Sequence, residues 1–73
     1  MHRAKEIGDL AQANLGIADC VERIREQDAL IDALRREGRD TTEAERVLAA
    51  MQRQTDDWCE HRRHVLSAMA ETD

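Results

Sequence analysis

The chain has 73 residues, of which 37% are charged and 41% hydrophobic, with a formal net charge of −5. That length holds one domain at most, and an acidic chain of mixed sign lacks the basic stripe that nucleic acid requires. No apolar run nears the roughly 20 residues of a membrane span, and no signal-peptide pattern opens the sequence, so the expected compartment is the cytoplasm.

There is no Pro, Phe or Tyr, and Trp58 is the single aromatic residue. Ala, Leu, Arg, Glu and Gln, all good helix formers, supply much of the rest. The β-branched residues neither cluster nor alternate, so no strand is predicted.

The first predicted helix covers about 9–37, with a frayed beginning. Asp9 with Gln12, and Asp19 with Glu22, carry N-terminal box signals. Gly8 and Gly16 each weaken a helix by about 1 kcal/mol relative to Ala. Two rows repeat every seven residues, as the a and d positions of a coiled coil do. One is Ile7, Asn14, Val21 and Asp28; the other, wholly aliphatic, is Leu10, Ile17, Ile24 and Ile31. Asn14 and Asp28 are either wet positions or residues that set register. Leu30 and Leu34 widen the apolar face beyond what a two-stranded seam needs, which suits a bundle.

The run Glu37-Gly38-Arg39-Asp40-Thr41-Thr42-Glu43 reads as a stop followed at once by a start, with the turn at 38–40. Gly38 suits the residue just past a helix, where φ is positive. Asp40 is expected to cap the next helix, with Thr41 beside it and Glu43 as box partner; Thr42 with Glu45 offers a second register. So short a link folds the chain into an αα-hairpin.

The second predicted helix covers about 41–69, and Glu71-Thr72-Asp73 is expected to be a disordered tail. Its core line is Ala44, Val47, Leu48, Met51, Trp58, Val65 and Met69. Ordering about 70 residues costs on the order of 100 kcal/mol, and two helices bury little apolar area against that. The expectation is therefore an all-α, coiled-coil-like antiparallel two-helix hairpin, one domain over 1–73, that self-associates as a dimeric four-helix bundle. The expected interface is Leu10, Ile17, Val21, Ile24, Ile31 and Leu34 with Leu48, Met51, Trp58 and Val65.

Chemistry-bearing residues are few. A hairpin turning near residue 39 sets Cys20 level with Cys59. With His61 and His64 these are the candidate ligands for zinc, which takes thiolate and imidazole. Cys59 and His61 point roughly 200° apart on a helix, however, and the plainer reading is two small thiols, reduced in the cytoplasm. His61-Arg62-Arg63-His64 is the one basic tract, either an anion contact or a solvated turn balanced by Asp56, Asp57 and Glu60. Trp58 reads as a packing anchor. No Gly-rich phosphate loop and no source of a concave pocket is present, so neither an enzyme nor a cofactor is expected.

The run Ile17 to Leu34, leading through Gly38, Asp40 and Thr41 into Ala44-Glu45, Leu48 and Met51 and then to Trp58 and His61-Arg62, resembles a recurrent type of small, uncharacterised alphaproteobacterial protein. The resemblance covers about 10–66; Val47 departs from the Leu-Leu pair of that pattern. It implies a two-helix cytoplasmic module without known activity and carries no catalytic residues. The expected function is protein association, through self-association or a partner helix; the alternative is a metal or small-ligand binder using Cys and His between the helices.

Overall fold

The turn determines the architecture. The chain leaves the first helix through Gly38, whose φ is +69°. Around it the Arg39 N–H donates to the Leu34 carbonyl at 2.9 Å and the Gly38 N–H to the Arg35 carbonyl at 3.0 Å. This pair of bonds is a Schellman motif, which satisfies carbonyls the helix end would otherwise strand.

The computed structural model describes residues 2–71. Among them there are two helices, α1 (His2–Arg36) and α2 (Thr42–Glu71), packed antiparallel. The rod measures 56 × 14 × 12 Å over its Cα atoms. α1 starts well before residue 9. Gly8 and Gly16 cost little beside the packing available, because Glu6, Asp9 and Leu10 lie half-buried where α2 runs on to Glu71. Of the expected tail, Glu71 is helical, while Thr72 and Asp73 lie outside the described residues.

The start of α2 differs in detail from its prediction. Thr41 is the N-cap, its carbonyl accepting the first helical bond from the Glu45 N–H at 2.8 Å. Asp40 stands one residue earlier, where its Oδ1 accepts from the Thr42 N–H at 3.0 Å and the Thr42 hydroxyl at 2.7 Å. That is an Asx-turn. Neither capping box is the engagement found: Glu43 binds Arg46 at 2.9 Å, and Glu45 reaches across the hairpin to Arg35 at 2.8 Å. Arg35 and Arg36 close α1 and Glu43 and Glu45 open α2, so both helix dipoles at this end meet opposite charge.

Along α1 the residues turned inward are Glu6, Leu10, Ala13, Ile17, Cys20, Ile24, Gln27, Ile31 and Leu34, with Asp9 and Gly16 beside them. These alternate three and four residues apart, the spacing of a coiled-coil seam. Leu10, Ile17, Ile24 and Ile31 are therefore one seam row, as expected. The second row is Glu6, Ala13, Cys20, Gln27 and Leu34, and not Ile7, Asn14, Val21 and Asp28, which are all exposed. In α2 the seam runs through Ala44, Leu48, Met51, Thr55, Trp58, Arg62, Val65 and Met69; it takes in the expected core line except Val47, which is 38% exposed and off it.

Two consequences of the turn are measurable. Gly38→Val should destabilise the hairpin by about 1 kcal/mol or more, because Cβ is penalised at positive φ; thermal melts read this. The hydroxyl and backbone N–H of Thr42 hold the Asp40 carboxyl below its ordinary value of 3.8. A depressed folded-state pKa contributes stability that is present above that value and lost as pH falls through the lowered one. Asp40→Asn should therefore flatten the acid limb of the stability–pH curve below about pH 4 while leaving its shape at neutral pH unchanged.

Candidate functional site

Among the described residues only Ala13, Cys20, Ile31 and Val65 have hydrophobic side chains classed as buried, with exposures of 0, 3, 4 and 7%. Leu10, Ile17, Ile24, Leu34, Leu48, Met51 and Trp58 are half-buried. All but one of the expected interface residues thus already face the other helix of the same chain, with part of each surface left in water. The exception is Val21, 38% exposed at the edge of the seam.

Three of the seam's polar members, Gln27, Thr55 and Arg62, dispose of their hydrogen bonds locally. Gln27 Nε2 donates to the Ala44 carbonyl at 2.8 Å, tying the helices near the turn. Thr55 turns its hydroxyl back onto the Met51 carbonyl at 2.9 Å, the usual way to place a threonine inside a helix. Arg62 lays its stem along the seam and donates from Nε to Asn14 Oδ1 at 2.8 Å. Asn14, exposed at the seam's rim, is thus partnered by Arg62.

Trp58 is the largest seam residue, and its room comes from Gly16. A Cβ at Gly16 would lie 2.5 Å from Trp58 Cε2 and 2.6 Å from Cδ2, inside contact with the rigid indole. His61 meets the indole edge-on, with centroids 6.1 Å apart. Sequence reasoning took Gly16 only as a helix weakener. A hairpin turning near residue 39 sets Gly16 opposite about residue 63 and not opposite Trp58, so level along the hairpin carried no signal for this contact.

The candidate ligands do not converge. Cys20 is buried in the seam, Cys59 is exposed, and both thiols are free. They do not face each other, because Cys59 falls one position past the seam residue Trp58 and turns away from α1. Among the described residues no three His, Cys, Asp or Glu side chains could share a metal ion. The basic tract is spread around α2: Arg62 binds Asn14, Arg63 and His64 both engage Glu60, and His61 stays with Trp58.

Two open hollows lie along the rod beside His61. One, of about 280 Å³, is lined by Lys5, Glu6, Asp9, His61, His64, Val65 and Ala68. Glu6 Oε2 lies there without a hydrogen-bond partner. The other, of about 450 Å³, lies beside Gln54, Asp57, Trp58 and His61. No described helix is long and apolar enough to cross a membrane. What the molecule presents is faces of half-covered apolar side chains.

Alanine normally stabilises an exposed helix over glycine by about 1 kcal/mol. At position 16 the sign should reverse: Gly16→Ala lowers the melting temperature because the indole must move. In a Trp58→Leu background the same substitution should raise it. A double-mutant cycle followed by circular dichroism measures the coupling.

Comparison with protein-family models, curated proteins and solved structures returns no match for this chain.

Proposed function

We propose that this chain is a protein-association module whose folded hairpin is half of a larger helical assembly, in its simplest form a dimeric four-helix bundle. The incompletely covered seam carries this reading. The chain exposes 5538 Å², whereas a compact protein of 8.4 kDa exposes about 4,600 Å². The excess, about 900 Å², is on the scale of the ~800 Å² that each partner buries in a standard interface. Seven of the large seam residues keep part of their surface in water, and a second pair of helices would cover it.

The role is that of an adaptor, regulator or accessory subunit, without catalysis. Its setting is the cytoplasm, where free thiols such as Cys20 and Cys59 persist reduced. The two-helix module without known activity that the resemblance implies agrees with this reading.

Sedimentation equilibrium over a wide concentration range tests it. The expected outcome is a species of twice 8.4 kDa, with a melting temperature that rises with concentration because folding and assembly are linked. Ile24→Ala should cost about 2–5 kcal/mol if assembly completes the burial of Ile24, and clearly less in an isolated hairpin where the side chain stays half-exposed. A folded 8.4 kDa monomer with a concentration-independent melting point would sink self-association.

A further inference from the structure

The seam has two flanks, and they differ in chemistry. On one, Ile7, Asn14, Val21, Asp28 and Arg35 recur every seven residues along α1 and face the row Glu45, Gln52, Cys59 and Leu66 of α2. The bonds from Arg35 to Glu45 and from Arg62 to Asn14 mark this side. On the other, Asp9, Gly16, Arg23 and Leu30 face Val47, Gln54, His61 and Ala68. Both hollows open there, with Lys5 and His64 in the lining of one of them.

In the half remote from the turn, the members of the first flank are uncharged. Ile7, Val21 and Leu66 are 54, 38 and 39% exposed, and Cys59 is exposed beside them. The neighbouring Arg62 and Arg63 are held by Asn14 and Glu60. Beneath lie the half-buried seam residues Leu10, Ile17 and Met69. The second flank carries Lys5, Asp9, His61 and His64 in that same half. Its exposed large hydrophobics, Leu30 and Val47, stand toward the turn.

We infer that a second copy of this chain docks on the flank lined by Ile7, Val21, Cys59 and Leu66, and so closes one side of the seam as the second layer of the bundle. The inference rests on the association reading above and specifies its contact surface. The rod is 56 Å long and 14 × 12 Å across, so a whole flank comes near the ~800 Å² that each partner buries in a standard interface. Two chains of net charge −5 repel each other, and this half-flank is where they can meet without charge. A two-fold axis along the rod leaves every level unchanged, so apolar half meets apolar half and each α1 lies over the α2 of the other copy. Counted from Asn14 level with Arg62, Ile7 then comes beside Ala70 of the second copy and Leu66 beside its Ala11. Each large side chain meets a small one. The turn halves face each other with Asp28 and Glu45 on both copies, so added salt should tighten the dimer.

Leu66→Glu tests the flank. Leu and Glu have similar helix propensity, so the chain should stay helical by circular dichroism while dimer dissociation in sedimentation rises at least about tenfold. Leu30→Glu on the other flank and Leu15→Glu on the outer side of α1 should leave dissociation unchanged. In the parent chain Cys59, exposed in the hairpin, should react more slowly with a thiol reagent as concentration rises through the dimer range. Mild oxidation of an Ala18→Cys variant should link residue 18 of one copy to Cys59 of the other. A helical Leu66→Glu variant that dimerises as tightly as the parent, a dimer that Leu30→Glu weakens instead, or a Cys59 whose reactivity ignores concentration overturns this flank and leaves the association reading intact. Absence of the link from residue 18 to Cys59 overturns the arrangement with both turns at one end. A parent chain that stays a folded monomer at every concentration overturns both readings.

Discussion

Each helix of the hairpin packs against one other helix, so the side-chain layer between them is closed by backbone on two sides and open to water along both edges. That geometry governs most of what the structure shows. It explains why, in a row as apolar as Leu10, Ile17, Ile24 and Ile31, only Ile31 is buried. It also explains why Gln27, Thr55 and Arg62 can occupy seam positions: an edge, a carbonyl or an amide acceptor is within reach of each. A layer this thin cannot take an indole unless the opposing backbone gives way, and Gly16 is where it does.

The hairpin itself was legible from Gly38, because positive φ is a demand one residue type meets without strain. α2 was legible too, since its charges leave one side almost free and the line from Ala44 through Leu48, Met51, Trp58 and Val65 to Met69 stands out. α1 was half legible. Its aliphatic row is right, but Ile7 and Val21 are more hydrophobic than Glu6, Cys20 and Gln27, and periodicity ranks rows by hydrophobicity alone. The true second row is held there by fit: Ala13 and Cys20 are small enough to bury, and Gln27 has a carbonyl to bind. The helix is apolar on two sides, and a pattern that points both ways cannot say which side the neighbouring helix takes. Cys20 and Cys59 do not converge for a related reason, since level along a hairpin says nothing of azimuth around each helix.

The same duality informs function. Groups with chemical potential, such as the thiols, the imidazoles and the arginines, are dispersed or already engaged by Asn14 and Glu60. The uncommitted part of the molecule is apolar surface, arranged in rows on a rod, and that is the material of helix-to-helix recognition.

The ties across the seam differ in one respect that their geometry conceals. Arg35 and Glu45 are separated by 10 residues of chain, whereas Asn14 and Arg62 are separated by 48. Closing the longer loop costs about 1.4 kcal/mol more in chain entropy. The rod is thus a zipper sewn at its turn, and thermal opening proceeds from the end remote from Gly38. Ala4, Ile7 and Ala11 lie in that loosely sewn half, so any helix that lays itself along them also supplies the lateral support that loop entropy withholds.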